Sequence, residues 1–435
     1  MGFLQRLWDR LPRPLVVFFA VIGPGFITAM VDNDAGGIYT YSEAGARFGY
    51  TLLWTLPPIA LLLVITQEMN ARMGAVTGKG LSDLIREEFG LRKTFLVMAL
   101  LVLANLTNVM ANFAGVASAL ELFHVSRHLS VPLAAVAVWF LVVKGTYQSV
   151  EKIFLGACVT YIAYIVAAVL ISPDWEASAL ASVRPVLLWD SAYLVLLVGL
   201  IGTSVAPWMQ FYLQAAVVEK GITAKEYIES RIEVVVGCVV MVVVAFFIIV
   251  ACAAAIWSRG PRSISSAAEA ANALRPFGEY AYLLFSAGLL NASLFAASIL
   301  PLSTAYSVCE GLGFEAGVNK RFREAPIFYW LYTLLIVVGA GVVLLPGFPL
   351  VKMILFSQVV NGLLLPLVLI FMIKLVNNRN LMHEWVNPRF YNWVAWGAVV
   401  ILIGLTVMLL GMSVKDVSFV PFAVSEPRVG GGSVL

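Results

Sequence analysis

Long apolar stretches, separated by short polar segments, recur along almost the whole chain. Most of them are about 20 residues long or longer, which is the length that an α-helix needs to cross a lipid bilayer. The pattern therefore predicts about eleven transmembrane helices, of which the first and the sixth are broken. Their expected spans are 14–48, 51–70, 94–121, 130–146, 151–172, 190–219, 232–257, 277–309, 326–346, 350–376 and 391–412.

The first apolar stretch is interrupted near its middle by the polar segment 32–37. A charge at that depth, such as that of Asp34, costs several kcal/mol unless it is paired or faces water. Gly36 and Gly37 weaken the helix there and free backbone groups that lipid cannot satisfy. Asp34 can also act simply as the N-cap of the helix that follows, and the two roles are compatible. We expect an ion site at this break.

The sixth apolar stretch is interrupted at 202–210, where Pro207 removes a backbone donor and clashes with the preceding turn. A proline alone is weak evidence, since membrane helices tolerate it. Its position is more informative, because the second break lies five spans after the first. Two spans that are an odd number of spans apart cross the membrane in opposite directions, so the two halves of the chain would have inverted topologies. Two broken helices at corresponding points of two halves are typical of inverted-repeat transporters, whose substrate lies between them.

The loops are short and no soluble domain interrupts the spans, so we expect a single, all-α membrane domain over residues 1–435. Within it, the first repeat of five helices is predicted over about 14–172 and the second over about 190–376. An extra helix is predicted over about 391–412.

Composition agrees with a membrane protein, because 61% of the 435 residues are hydrophobic and 12% are charged, against about 25% charged in soluble proteins. The formal net charge of +3 is small and dispersed, so no nucleic-acid partner is expected. The four cysteines show neither metal-ligand spacing nor a disulfide framework, and we interpret them as small core residues. No cofactor is predicted, and the sequence does not indicate any protein partner.

The distribution of basic residues predicts the orientation. If the N-terminus is cytoplasmic, about 19 of the 28 Lys and Arg residues fall in the inner segments. Basic residues concentrate in cytoplasmic loops of membrane proteins. We therefore predict a multi-pass protein of the inner (plasma) membrane, with its N-terminus in the cytoplasm and its C-terminus outside.

Amides gather on two predicted helices. Asn105, Asn108 and Asn112 follow the i, i+3, i+7 spacing of one helical face in the third span. Gln358 and Asn361 are i, i+3 neighbours in the tenth span. Both sets are compatible with a polar wall beside an ion path and equally with hydrogen bonds between helices. The sequence leaves both interpretations open.

Two further acidic residues receive simpler interpretations. Glu68 is predicted to pair with Arg72, four residues further along the same helix. Glu43 lies near the outer end of the first span and is expected to be a solvated helix end rather than a residue that attracts cations into a vestibule.

Four segments resemble the Nramp family of divalent-metal transporters, and the resemblance runs over most of the chain. They are residues 23–27, 45–50 and 71–79, which resemble the family's first two helices, and 357–360, which resembles its tenth. The resemblance implies the fold of the amino-acid transporter LeuT, with inverted repeats of five helices.

The chain departs from the family at the first break. The family's Asp-Pro-Gly-Asn box falls on residues 34–37, where Asp34 keeps the aspartate and Gly37 replaces the amide ligand. The acidic residues of the family's third helix, which carry protons, fall on Val109 and Asn112. The loss of these acids implies transport without proton coupling.

The chain also departs at the second break. The family's Met-Pro-His box falls on Ala206, Pro207 and Trp208, so that only the proline is kept. A methionine thioether is a soft ligand that favours transition metals, and Ala206 removes it. This pattern resembles the Nramp-related magnesium transporters, a branch of the family.

Oxygen donors alone suit Mg²⁺, which dehydrates reluctantly and is commonly held by one or two carboxylates while it keeps several waters. We expect Asp34 to anchor a partly hydrated ion, Asp32 to be less central, and the missing side chain at Gly37 to widen the cavity. The predicted metal-site residues are Asp34, Asn33, Gly37, Val31, Thr203, Ala206 and Gln358.

The sequence thus predicts secondary uptake of divalent cations, foremost Mg²⁺, by alternating access and without proton coupling. One alternative is a proton-coupled Mn²⁺ or Fe²⁺ transporter of the ordinary Nramp type. Another is an amino-acid symporter of the same fold, although an unpaired Asp34 would repel the substrate's carboxylate. An enzyme is not predicted, because Asp32 and Asp34 are too close in sequence to face each other from two helices, as paired catalytic carboxylates would.

Overall fold

In the computed structural model, the described residues are 23–415, except 146, 265–266, 275–278 and 348–349. These residues form helices joined by turns, with no β-strand among them. The α-helices are α1 (Pro24–Val31), α2 (Ala35–Phe48), α3 (Leu56–Thr77), α4 (Leu81–Phe89), α5 (Leu91–Glu121), α6 (Arg127–Lys144), α7 (Tyr147–Val159), α8 (Ile162–Ile171), α9 (Trp175–Val183), α10 (Ser191–Ser204), α11 (Pro207–Lys220), α12 (Tyr227–Ala255), α13 (Ala267–Leu274), α14 (Glu279–Leu312), α15 (Pro326–Val343), α16 (Leu350–Val376), α17 (Arg379–Met382) and α18 (Arg389–Lys415). Short 3₁₀ turns occupy Leu53–Thr55, Trp257–Arg259 and His383–Trp385.

Ten helical segments of the described chain are long and apolar enough to cross a membrane. They follow the predicted spans from the second to the eleventh, with the pair α7 and α8 serving as one span and the pair α10 and α11 as another. The first predicted span corresponds to α1 and α2, which are 8 and 14 residues long. Its predicted beginning, residues 14–22, lies outside the described residues.

Long helices form the centre of the structure. Helix α14 packs against α5, and α12 packs against α3 and against both halves of the broken first span. Helix α16 lies against α5 and α10. The two broken spans are therefore enclosed by continuous helices, which positions both breaks deep within the protein.

The first break follows from local chain chemistry. Helix α1 begins with Pro24. Proline is well suited to the first position of a helix, because an N–H group there would have no intrahelical acceptor. It ends at Val31, and the chain turns through Asp32 and Asn33. At Asp34 the backbone is extended (φ −75°, ψ −174°), and the carboxylate accepts a hydrogen bond from the Gly37 N–H, so Asp34 is the N-cap of α2.

The second break is caused by Pro207. The proline ring disfavours a helical conformation of the residue before it, and Ala206 is accordingly extended (φ −66°, ψ 142°). Helix α10 ends at Ser204 and α11 starts at Pro207, so Val205 and Ala206 form the whole interruption. As predicted, both breaks are present.

Helices α10 and α16 touch through their backbones. A Cβ atom built on Gly202 would lie 2.8 Å from the Cα of Gly362, and one built on Gly362 would lie 2.8 Å from the carbonyl oxygen of Val198. Since real Cβ atoms do not approach backbone this closely, only glycine permits this crossing. This contact holds the end of α10, which leads into the second break, against α16.

Gly202→Ala is expected to lower the free energy of unfolding by about 1–3 kcal/mol, because the new methyl group would overlap the backbone of α16. Thermal unfolding of the detergent-purified protein measures this loss. Gly397→Ala is the matched control, since nothing lies within 4 Å of a Cβ at that position of α18. An unfolding temperature for Gly202→Ala equal to that of Gly397→Ala would contradict the crossing.

The loop after α12 folds over the end of α2 and binds Glu43. The Ser263 hydroxyl and the Ile264 N–H donate to the two Glu43 carboxylate oxygens at 2.6 and 2.8 Å. The Tyr39 hydroxyl donates to the Ile264 carbonyl at 2.7 Å. Glu43 is only 2% exposed, so the expectation of a solvated helix end is wrong. Its partners come from a loop some 220 residues away, which the local sequence does not reveal.

The predicted Glu68–Arg72 pair is confirmed, with a separation of 3.3 Å between Arg72 Nη2 and Glu68 Oε2. Both residues are buried, and Arg72 also donates to the Asn387 side chain before α18. The pair therefore joins α3 to the segment that enters the last helix, in addition to neutralising a buried carboxylate.

Candidate metal site

The two breaks meet in the middle of the protein. A Cβ atom on Gly37 would lie 3.2 Å from the Thr203 Oγ1, so the first turn of α2 is in contact with the end of α10. One turn further along α2, the hydroxyl groups of Tyr41 and Ser204 form a hydrogen bond of 3.0 Å. The fold thus brings the first break against the second, as expected of two half-helices that share a substrate.

Asp34 lies at the centre of this contact and is 5% exposed. Its Oδ1 accepts from the Gly37 N–H at 2.8 Å, and its Oδ2 accepts from the Asn112 amide at 2.9 Å. Both donors are neutral. The carboxylate is therefore held in place by hydrogen bonds, while its charge stays uncompensated by them.

Asp32 is buried beside Asp34, with 2% exposure, and its Oδ2 has no hydrogen-bond partner among the described residues. Within the described part of the chain neither aspartate forms an ion pair. Two buried carboxylates without a protein cation are costly in a membrane, and a bound cation removes that cost. The electrostatics of the break favour a positively charged ligand.

The amides of α5 and α16 form one network that starts at Asp34. Asn112 donates to Asp34 and, at 2.9 Å, to the Asn108 carbonyl. The side chains of Asn108 and Asn361 exchange two hydrogen bonds of 3.0 and 3.1 Å. Asn361 also donates to the side-chain Oε1 of Gln358 at 3.3 Å. This network of neutral side chains connects the Asp34 carboxylate to two continuous helices, α5 and α16.

Gln358 closes the site from the side of α16. A Cβ atom on Gly36 would overlap the amide nitrogen of Gln358 and lie 2.8 Å from its Cδ, so the glutamine lies directly on the first turn of α2. Glycine at position 36 is what permits this approach. Of the predicted site residues, the structure therefore brings Asp34, Gly37, Thr203 and Gln358 together.

The other predicted residues lie at the margins of the site. Asn33 donates from Nδ2 to the Met241 carbonyl of α12 at 3.2 Å, and its Oδ1 has no partner among the described residues. Val31 is the buried last residue of α1. Ala206 is the N-cap residue before α11, and its carbonyl accepts from the Gln210 amide at 3.3 Å.

The space around Gly37 is occupied by neighbouring atoms. The structure places the Asp32 carbonyl oxygen only 2.7 Å from a Cβ at this position, with the Tyr41 ring at 3.3 Å. Gly37 therefore permits close packing of α2 against the break and against α10. The expectation that it widens the cavity is wrong for this conformation.

Two contacts were not foreseen in the sequence. The bond from Asn112 to Asp34 joins residues 78 positions apart, and the Tyr41–Ser204 bond joins residues 163 positions apart. The spacing of the asparagines showed that they share one helical face but not which partner that face meets. No comparable signal marked Tyr41, which resembles any aromatic residue of a membrane helix.

The site can hold a cation with only limited protein ligation. In the described residues, no three His, Cys, Asp or Glu side chains lie close enough together to hold a metal ion. The groups at the break that could donate to a metal are the two carboxylates of Asp32 and Asp34, backbone carbonyls, hydroxyl groups and amides. Such a hard, oxygen-only donor set suits an ion that retains part of its water shell.

Residues 25–411 match the family described as natural resistance-associated macrophage protein-like, Nramp. The chain belongs to the Nramp family. The match covers nearly all of the described helices, including both breaks. The resemblance seen in the sequence is thereby confirmed at the level of the family, whose members are transporters rather than enzymes.

Relatives of this Nramp chain include two proteins named divalent metal cation transporter MntH. The protein from Granulibacter bethesdensis is 28% identical over 403 residues, covering 89% of this chain and 87% of the relative. MntH 1 from Pseudomonas aeruginosa is 29% identical over 412 residues, covering 88% of this chain and 89% of the relative.

Solved structures with the same fold include a manganese transporter from Eremococcus coleocola in complex with an aromatic bis-isothiourea compound. It has a TM-score of 0.71 at 21% identity and covers 92% of this Nramp chain and 88% of that protein. Mhp1, a nucleobase-cation-symport-1 family transporter, has a TM-score of 0.58 at 13% identity, and the match covers 90% of this chain and 93% of Mhp1. The predicted all-α LeuT-type fold is confirmed.

Proposed function

We propose that this Nramp protein transports divalent cations across the membrane by alternating access, and that its main substrate is Mg²⁺ carried as a partly hydrated ion. The observation that carries the proposal is Asp34, a buried carboxylate at the junction of two broken helices that is held by neutral donors and has no cationic partner among the described residues. A divalent cation supplies the missing positive charge.

The preference for Mg²⁺ is supported by the character of the donors. Ala206 stands where a thioether would offer a soft ligand, and the polar groups around Asp34 are oxygens and amides. Hard cations prefer oxygen ligands, whereas sulfur and nitrogen ligands favour transition metals. Neutral amides such as those of Asn361 and Gln358 are able to accept hydrogen bonds from waters that the ion keeps.

Transport of Mn²⁺ is the second candidate, because the relatives are named as divalent metal or manganese transporters. Manganese also accepts oxygen ligands, so Asp34 alone does not discriminate between the two ions. An amino-acid substrate is disfavoured by the uncompensated negative charge of the break.

Uptake by proteoliposomes tests the proposal, with Mg²⁺ and Mn²⁺ measured separately and in competition. We expect saturable Mg²⁺ uptake, with Mn²⁺ as a weaker or comparable substrate. Strong Mn²⁺ uptake that excess Mg²⁺ does not inhibit would support the second candidate and contradict the first.

Uptake is expected to proceed without proton movement. Proton relays through membranes are chains of Asp, Glu and His side chains, whereas α5 carries Asn105, Asn108 and Asn112 on its polar face and Trp208 follows the second break. The amide network that extends from Asp34 does not titrate near neutral pH. The membrane potential acts on both charges of the ion and contributes roughly 4.6 kcal/mol per 100 mV.

A pH-sensitive dye inside the vesicles, at a clamped potential and with an inward Mg²⁺ gradient, measures coupling directly. We expect Mg²⁺ to enter without acidification of the lumen. Acidification in proportion to the Mg²⁺ flux would refute this prediction. Vesicles carrying the protein without a Mg²⁺ gradient serve as the control for passive proton leakage.

We further propose a plasma-membrane location with the N-terminus in the cytoplasm, based on the excess of Lys and Arg in the inner segments. We also propose that residues of about 14–172 and 190–376 form two inverted repeats, and that the extra helix over about 391–412 belongs to neither repeat. Accessibility of single cysteines introduced at Lys225 and Arg184 to an impermeant reagent tests the orientation, since the proposal places these two loops on opposite sides.

A further inference from the structure

Both N–H donors and the carbonyl oxygen of Asn112 form hydrogen bonds at the site. A side-chain amide has two N–H donors and one carbonyl acceptor. One N–H of Asn112 donates to Asp34 Oδ2 and the other donates to the Asn108 carbonyl, both at 2.9 Å. The Asn112 Oδ1 accepts from the Ala35 N–H at 3.1 Å. The side chain is fully buried.

These partners determine the orientation of the amide. In the reversed orientation, the Asn112 oxygen would face the Asp34 carboxylate and the Asn108 carbonyl, while its NH₂ group would face the Ala35 N–H. All three contacts would then be repulsive. The observed orientation is therefore the chemically consistent one, and it binds two adjacent parts of the break, the carboxylate and the first backbone N–H of α2.

The other constraints on Asp34 come from its own helix. The Gly37 N–H holds Oδ1 at 2.8 Å, which is an N-cap bond within the first turn of α2. Asn112 is the residue from a neighbouring continuous helix that holds Oδ2. Without it, the bond from the Gly37 N–H would remain, and the carboxylate would be held only by the first turn of its own helix.

We propose that Asn112 is a positioning residue for cation binding, one that orients the Asp34 carboxylate and fixes the start of α2 so that the remaining lone pairs of the carboxylate face the ion. This inference rests on the proposed function, because it requires Asp34 to bind the transported cation. Asn112 contributes through Asp34 and does not need to touch the ion itself.

Asn112→Leu removes both the donor to Asp34 and the acceptor for Ala35 while keeping the branching and the number of side-chain heavy atoms. A hydrogen bond to a charged group contributes enough that its loss should raise the KM for uptake about ten- to hundredfold. We expect Vmax to stay within about twofold, since the binding step is what the hydrogen bond favours. The probes are Mg²⁺ and Mn²⁺, measured separately in proteoliposomes.

Asn105→Leu is the matched control. Asn105 lies on the same face of α5, is fully buried, and donates to the Thr304 hydroxyl at 2.8 Å instead of to the break. We expect its KM to equal that of the unaltered protein. If both variants raise KM alike, buried amides of α5 act only in helix packing and the inference fails.

Asn112→Ser keeps the experiment decisive if the leucine variant does not fold. Serine is smaller, so it cannot overpack, and its short side chain cannot replace both contacts of the asparagine. A KM equal to that of the unaltered protein in this variant overturns the proposal. If Asp34→Ala abolishes uptake while both Asn112 variants keep their KM, only the positioning role fails. If Asp34→Ala leaves uptake intact, the proposed cation site itself fails.

Discussion

Asp34→Ala is expected to abolish divalent-cation uptake while the protein still folds. The carboxylate lies where both broken helices meet, and the donors around it are neutral. Its removal takes away the charge that attracts the ion into a membrane-embedded site. Uptake of Mg²⁺ and of Mn²⁺ in proteoliposomes should fall to the level of protein-free vesicles.

The same substitution also removes a helix cap, which by itself lowers stability by about 0.5–2 kcal/mol. Two controls separate this loss from the loss of charge. Asp34→Asn keeps an oxygen for the cap and is expected to be equally inactive. Asp174→Ala removes the N-cap of α9, whose carboxylate accepts from the Ala177 N–H at 2.9 Å, and is expected to transport normally.

Normal flux through folded Asp34→Ala or Asp34→Asn protein would place the ion path elsewhere. Circular dichroism and size-exclusion chromatography establish folding for each variant before its transport is measured. Because the asparagine variant removes the charge but keeps the size of the side chain and one acceptor oxygen, it gives the more direct answer about electrostatics.

Ala206→Met is expected to shift selectivity towards Mn²⁺. The substitution places a thioether at the start of α11, beside the junction of the breaks, and soft sulfur favours transition metals over Mg²⁺. We expect a roughly tenfold change in the Mg²⁺-to-Mn²⁺ uptake ratio, which corresponds to about 1.4 kcal/mol. Competition between the two ions in the same vesicles measures the ratio directly.

Ala215→Met on the same helix is the matched control, since it adds equal bulk at a buried position more than two turns beyond Ala206. It should leave the ratio unchanged. Adding Gly37→Asn to Ala206→Met is a poorer experiment, because a Cβ at position 37 would lie 2.7 Å from the Asp32 carbonyl. An unchanged ratio in well-folded Ala206→Met protein would mean that ligand type at this position does not set selectivity.

The fold was largely predictable because membrane helices leave a strong signal in sequence. Apolar length located the spans, and the rules for proline and glycine located the two breaks. The Glu68–Arg72 pair followed from helical spacing alone. Each of these depends on residues close together in the chain, so a sequence contains the information needed to find it.

The details of the site were less accessible, since they depend on contacts between distant segments. Glu43 looked solvated because its partners, Ser263 and Ile264, come from another loop. The residue type at position 37 suggested open space, whereas Asp32 and Thr203 approach the glycine closely. In both cases the local sequence does not show which distant segment of the chain contacts the residue.

The attachment of the loop after α12 to α2 also bears on how the protein can be manipulated. Four hydrogen bonds connect loop residues 262–264 to α2, and one of them runs from the Arg262 N–H to the Ala46 carbonyl. Helix α2 cannot separate from its surroundings unless these bonds break or the loop travels with it. We therefore expect an antibody fragment that binds both this loop and a neighbouring surface to slow the proposed transport without contacting Asp34, because it would hold α2 through these four bonds.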